Sequence, residues 1–272
     1  MFNTRLVTAL ALLAGCIFAL WFLPNRWWAA LLLPVLAVAG WEWGALAGFR
    51  PARRWLYVGF VLGSACVIGL IAESTGGIAN RHSGVETAIY GASTGFWLLL
   101  ALPWLTRQWQ VRSRLALGAA GWMALVPAWL AVARLQLEPA QLLAVLGIVW
   151  IADTAAYLAG RAWGRHRLAP RVSPAKTWEG VAGACVAVAV YYVVLSIFTP
   201  EWRGWQGWSG AVLFAGVTLM SIVGDLYESW IKRQAGVKDS GALLPGHGGV
   251  LDRLDSVNSS MPFAALLLPY VL

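Results

Sequence analysis

The chain has 272 residues, of which 60% are hydrophobic and only 12% charged, with a mean hydropathy of +0.67 and a formal net charge of +8. A soluble domain carries about 25% charged residues, and one core could not bury this much apolar surface, so a water-soluble globular fold is excluded. The basic residues are scattered along the chain, not gathered into one strip, so no nucleic-acid partner is expected.

In chain order, nine segments approach the roughly 20 apolar residues that a transmembrane helix needs. They are 6–23, 27–46, 55–72, 88–105, 115–133, 139–160, 178–198, 210–230 and 258–272. The first contains "LAGC" at 13–16, which resembles a lipoprotein cleavage site. The apolar run continues through "IFALWFL" past Cys16, however, so an uncleaved helix is expected. Trp27, Trp28, Trp104, Trp202 and Trp208 fall near span ends, where aromatic rings settle at the bilayer interface. With the N-terminus cytoplasmic, sixteen of the 20 Lys and Arg fall in cytoplasmic loops, leaving Arg26, Arg81, Arg134 and Arg203 outside. Retention of positive charge in the cytoplasm then predicts an all-α polytopic protein of about nine spans, N-in and C-out. It reads as one integral membrane domain, 1–272, in which helices of 1–135 are mainly scaffold and 136–272 carry the polar clusters. Cys16, Cys66 and Cys185 lie inside spans and read as small hydrophobes.

The acids are distributed unevenly. Glu73, Glu86, Glu138 and Glu201 fall in outer loops and are expected to be solvated. The other eight, Glu42 among them, lie at cytoplasmic span ends or loops, and seven belong to the second half. Ionisable groups at membrane depth are costly and mark sites. Asp153 and Tyr157 share one face of the sixth span. After it, the basic loop leads into "SPAKTWEG", where Ser173 is expected to cap a helix beginning at Pro174. The free N–H groups of that turn, with Lys176 and Thr177, would hold a phosphate. In "GDLYESWIKR", Asp225, Glu228, Ser229 and Lys232 form a polar stripe at helical spacing; a Glu228–Lys232 surface pair would account for those two but poorly for Asp225, a turn deeper among apolar neighbours. In "LLPGHGGVLDRLD", Pro245 and the glycines preclude a regular helix, and the N–H groups around Gly248 and Gly249 can cradle an anion. Asp252 and Asp255 follow at i and i+3, on one face if a helix restarts here. Carboxylates without a cysteine cluster suit a hard cation such as Mg²⁺. His247 is more ambiguous: it reads as a hydrogen-bonded loop residue or a substrate contact before it reads as a metal ligand. Carboxylates, cations and glycine loops on one membrane face suit a metal-bound polyphosphate beside a lipid headgroup; spacing alone does not select the reaction.

The run S229-x-I-K-R-x₄-K-D-x-G-x₂-L-P-x-H-G-G-V-x-D-R-L-D255 resembles the signature of the phosphatidate cytidylyltransferase family, and "SPAKTWEG" and the region around Asp153 are similar to it too. The resemblance is strong over about 150–262; over the first five spans it rests on hydropathy and length, and Ala175 stands where relatives often carry a basic residue or glycine. It implies transfer of CMP from CTP to phosphatidate at the cytoplasmic face of a cell membrane, the bacterial inner membrane. It also implies that Asp225 and Asp252 hold Mg²⁺ with Asp255 in support, and raises a monovalent cation such as K⁺ beside it. Lys232, Arg233, Lys238 and Arg253 would neutralise the polyphosphate, with Asp239 orienting its neighbours. A homodimer is compatible with the sequence. Two other readings stay open: a CTP-dependent polyprenol or dolichol kinase, and a transporter of a phosphorylated solute, which would need polar groups at the bilayer midplane in both halves.

Overall fold

The computed structural model describes residues 15–75, 84–199, 205, 207–243 and 248–271. In lipid each backbone amide must find a partner within the chain, so helices dominate. After a helical stretch over 15–22 (α1) come α2 (Asn25–Leu46), α3 (Pro51–Ser74) and α4 (Gly84–Gly95). A π-helical turn, Phe96–Ala101, joins α4 to α5 (Leu102–Arg107), and α6 (Arg114–Leu135) and α7 (Pro139–Trp163) follow. A two-stranded antiparallel ribbon, β1 (Arg167–Ala169) and β2 (Ser173–Thr177), leads to α8 (Trp178–Phe198), α9 (Trp208–Gln234) and α10 (Asp255–Val271). Among the described residues seven helices are long and apolar enough to cross a membrane, counting Gly84–Arg107 as one. These match the second to eighth expected spans; the first half of the first span, 6–14, lies outside the described residues.

The expected ninth span is a different kind of helix. α10 has 17 residues, carries Pro262 and Pro269 within it, and buries Ser256, Asn258, Ser259 and Ser260 against the bundle. It touches α4, α6, α7 and α9, with α9 its most extensive partner. Its hydroxyls bond backbone carbonyls, Ser259 Oγ donating to Met220 O at 2.7 Å and Ser260 Oγ to Ser256 O at 2.6 Å. A serine-rich turn of this kind is stable in an apolar bundle because its donors are satisfied within it. α8 is the opposite case, with apolar side chains such as Val186, Val190, Ile197 and Phe198 exposed towards lipid.

Helices α2, α3 and α6 meet through small residues. Trp43 of α2 lies where a Cβ on Gly121 would stand, and donates from Nε1 to Leu117 O at 2.8 Å. Close backbone approach through glycine is how helices pack when lipid supplies no hydrophobic drive. The connections 47–50, 108–113 and 164–177 and the segment after α9 all gather at one end of the bundle. Gln234 exchanges hydrogen bonds with Val111 N and O, and Trp230 Nε1 reaches Trp109 O at 3.3 Å. At the other end Gln136 Nε2 donates to Leu20 O and Leu23 O. There Glu86 departs from expectation. It is buried on α4 and pairs with Arg134 Nε at 3.3 Å, because its face of α4 turns towards a cation of α6.

Candidate active site

At the loop-rich end, α7, β2, α8, α9 and the start of α10 enclose a cavity of about 620 Å³. Asp153, Ser173, Lys176, Thr177, Asp225, Asp252, Arg253 and Asp255 line it, together with Tyr157, Arg161 and Arg167. Eight of the residues expected from sequence are therefore brought to one space.

The segment "SPAKT" is extended, so Ser173 is not a helix cap. Thr177 is, its Oγ1 accepting from Gly180 N at 3.1 Å while its own backbone stays extended. β1 holds the ribbon in place: Arg167 Nη1 donates to Pro174 O at 2.5 Å, and Thr177 stands opposite Arg167 in the register. The phosphate-favouring helix start survives, displaced by four residues. Lys176, just before it, reaches across to form an ion pair with Asp225 of α9.

Behind this wall lies a second tier. Ser229 Oγ donates to Asp225 Oδ1 at 3.4 Å. Lys232 Nζ bridges Glu228 Oε1 at 3.2 Å and Asp252 Oδ1 at 2.5 Å. Glu228 and Lys232 are 2% and 8% exposed, so theirs is a buried pair, not a surface one; α10 covers that side of α9. Glu228 Oε2 is buried without a partner.

Asp252 stands in the 3-10 turn Leu251–Arg253, which the sequence anticipated as a helix restart. Its Oδ2 accepts from Ser240 N at 2.9 Å, Ser240 Oγ at 2.9 Å and Gly249 N at 2.8 Å. Burial raises this carboxyl, but the hydrogen bonds from Lys232, Gly249 and Ser240 outweigh it and hold the group below the usual carboxylate range. Asp255 behaves oppositely: burial, then the Asp225 charge, push it up to about 7. Gly249 thus serves an aspartate, and Gly248 takes a left-handed φ of 80° beside it.

Among the described residues, Arg233, Lys238 and Asp239 do not line the cavity. Arg233 braces backbone, donating from Nε to Val172 O and from Nη1 to Val237 O, both at 3.3 Å. Lys238 and Asp239 are exposed on the loop after α9. His247 lies outside the described residues. Three side chains that the sequence reading left without a role also belong here. Arg161 and Arg167 line the cavity, Arg161 donating to Tyr157 Oη at 3.1 Å, and Glu42 of α2 packs under the loop. The arginines passed as topology signals; Glu42 carried no local motif.

The donor set facing the cavity is carboxylate and hydroxyl oxygen, and no cysteine or described histidine lines it. That chemistry fits a hard divalent cation. Among the described residues no three His, Cys, Asp or Glu side chains converge into a closed cage. Mg²⁺ typically takes one or two carboxylates and completes its shell with phosphate oxygens and water, so Asp225 with Asp252 or Asp255 fits that pattern.

An apolar groove of about 240 Å³ continues from the cavity between α8 and α9, sharing Val181 and Ile222 with it and running past Cys185, Ala215 and Phe214. A polar chamber opening into an apolar, lipid-facing groove can hold a phosphate and keep a hydrocarbon chain in register beside it.

A family model described as "Cytidylyltransferase family" matches residues 3–271 of the chain. The phosphatidate cytidylyltransferase of Pseudomonas aeruginosa is 37% identical over 274 residues, covering 98% of this chain and 97% of its own. That of Haemophilus influenzae is 34% identical over 292 residues and spans both chains in full. The Brucella suis protein of the same name is 50% identical over 124 residues, 45% of this chain and 43% of its own.

Proposed function

The chain belongs to the cytidylyltransferase family, and on that premise we propose that it transfers the CMP moiety of CTP to phosphatidate, releasing pyrophosphate and CDP-diacylglycerol. The observation that carries this reading is the cavity itself, in which four aspartates, Lys176 and three arginines meet at the mouth of an apolar groove. A kinase site needs no lipid phosphate pocket. A transporter needs polar groups at the midplane of both halves, whereas this cavity is one-sided.

The nucleophile is an oxygen of the phosphatidate monoester, largely dianionic at neutral pH because its second pKa is about 6. It attacks the α-phosphorus of CTP. A P–O bond forms, the bond from the α-phosphorus to the bridging oxygen breaks, and that electron pair leaves with pyrophosphate. No strong base is required; the barrier is the approach of one anion to another. The chain's own part is to hold both phosphates in line and to screen their charge. Lys176 and the N–H groups at the start of α8 suit the lipid phosphate, and Arg161, Arg167 and Arg253 suit the polyphosphate at the rim. Mg²⁺, held by Asp225 and Asp252 with Asp255 in support, would supply the remaining positive charge. The groove between α8 and α9 would take one acyl chain.

The protein is integral to the membrane, and we place it in the bacterial inner membrane with the cavity facing the cytoplasm. Sixteen of 20 basic residues fall on that side under the expected topology. A homodimer, and a K⁺ ion beside Mg²⁺, are compatible with the same reading. The test uses purified protein in detergent micelles with phosphatidate and CTP labelled at either the α- or the γ-phosphate. Label from the α-position entering lipid, with the γ-label in pyrophosphate, is expected. Transfer of γ-label to a polyprenol, with release of CDP, would replace this reading with the kinase.

A further inference from the structure

Glu42 comes from the half of the chain expected to be scaffold, yet it is 4% exposed and its carboxylate is spent on the polar loop. Oε1 accepts from Val250 N at 3.1 Å, and Oε2 accepts from Leu251 N at 2.8 Å and Ser240 Oγ at 3.0 Å. Among the described residues no cation lies within ion-pairing reach of it. Its charge is met by two peptide N–H groups and one hydroxyl, the pattern of a carboxylate that fixes backbone. The loop is shaped around it. A Cβ on Gly249 would lie 2.5 Å from Glu42 Oε2 and 2.6 Å from Oε1, and one on Gly241 would strike Oε1 as well. Two of the glycines in this segment thus make room for an acid 199 to 207 positions earlier.

Ser240 joins that carboxylate to the cavity. Its hydroxyl stands 3.0 Å from Glu42 Oε2 and 2.9 Å from Asp252 Oδ2, and it has one proton for both. The orientation of Asp252 therefore depends on where Glu42 holds the serine and the 250–251 backbone. We propose that Glu42 is a positioning residue for the reaction: through Ser240 and the amides of Val250 and Leu251 it sets the loop so that Asp252 faces Lys232 and the cavity. A carboxylate serving only to anchor α2 in the bundle would bond α3 or α6, the helices against which α2 chiefly packs; among its described contacts this one bonds neither, only the loop and the 3-10 turn that carries Asp252.

The proposal rests on the cytidylyl-transfer reading, so the full-length protein in micelles is tested two ways. The first compares kcat and KM for Glu42→Gln, Glu42→Asp and Ser240→Ala with wild type. The second follows amide hydrogen exchange across 248–254. Glu42→Gln keeps the shape but turns an N–H towards backbone N–H donors. Loss of groups that orient a site residue costs about 10–100-fold in activity, so kcat should fall by that much with KM for CTP nearly unchanged, and Glu42→Asp should recover part of it. Exchange at Val250 and Leu251 should quicken in Glu42→Gln. Wild-type kcat in that variant, or unchanged exchange, overturns the proposal. Should Glu42→Gln not fold, Ser240→Ala decides, because it cuts the link to Asp252 and leaves both Glu42–backbone bonds; an undiminished kcat there overturns it. Absence of turnover in wild-type protein would sink the reaction assignment alone, and the exchange measurement would still decide the role of Glu42.

Discussion

Two lysines of the site differ in kind, and the difference is measurable. Lys232 is buried between Glu228 and Asp252, whereas Lys176 sits at the cavity wall opposite Asp225, with its side chain about a quarter exposed. Removing one partner of a buried ionic cluster leaves uncompensated charge and costs about 3–5 kcal/mol. Lys232→Ala should therefore lower the unfolding midpoint as well as activity. Lys176→Ala should leave the midpoint near wild type and raise KM for phosphatidate; an unchanged KM would remove it from the phosphate pocket. The aspartates divide similarly. Asp252 is held ionised by Lys232, Gly249 and Ser240, while Asp255 is raised to about 7 by burial and by Asp225. Charge of one sign is crowded at one spot, which favours a bound cation.

The elements explain what could be read in advance. Hydropathy places the seven long helices within a few residues of their ends, because in lipid the apolar run and the helix are the same object. The run from Ser229 to Asp255 and the "SPAKTWEG" segment identify the family, and six of their candidate residues line one cavity together with Asp153 and Asp225 from outside them. Local chemistry misleads where tertiary partners decide. Pro174 suggests a helix start, but pairing with β1 keeps Ser173–Thr177 extended and passes the cap to Thr177. Glu86 reads as a loop acid until Arg134 of α6 is seen beside it. Glu42 stands out only as an acid at a cytoplasmic span end; its role could not be read locally, since its partners lie 198 to 209 positions away in sequence. The groove between α8 and α9 carries its own test. Ala215 is exposed there, so Ala215→Trp fills the groove without disturbing the core. Turnover of long-chain phosphatidate should fall several-fold while a short-chain analogue is spared. Equal loss for both would show that the groove does not seat the acyl chain.

At the scale of the whole molecule, the polar connections converge at one end of an apolar bundle, and α10 closes that end from inside. The packing of α10 on α4 and α6 and the Glu42 contact tie the two halves of the sequence together. Orientation is open to cysteine labelling in a cysteine-free background. Lys238→Cys should react with an impermeant thiol reagent only from the cytoplasmic side and Glu138→Cys only from the other; the reverse pattern would invert the topology. The central claim, that this cavity performs cytidylyl transfer, is tested most directly by following pyrophosphate and CDP-diacylglycerol together in micelles containing CTP, phosphatidate and Mg²⁺. Wild-type protein should yield the two in equal amounts. Asp225→Asn and Asp252→Asn, assayed at a temperature where each is fully folded, should lose at least about 10²–10³-fold in rate, the usual cost of one electrostatic partner at a reacting phosphate. Turnover within a few-fold of wild type in either variant would contradict the account.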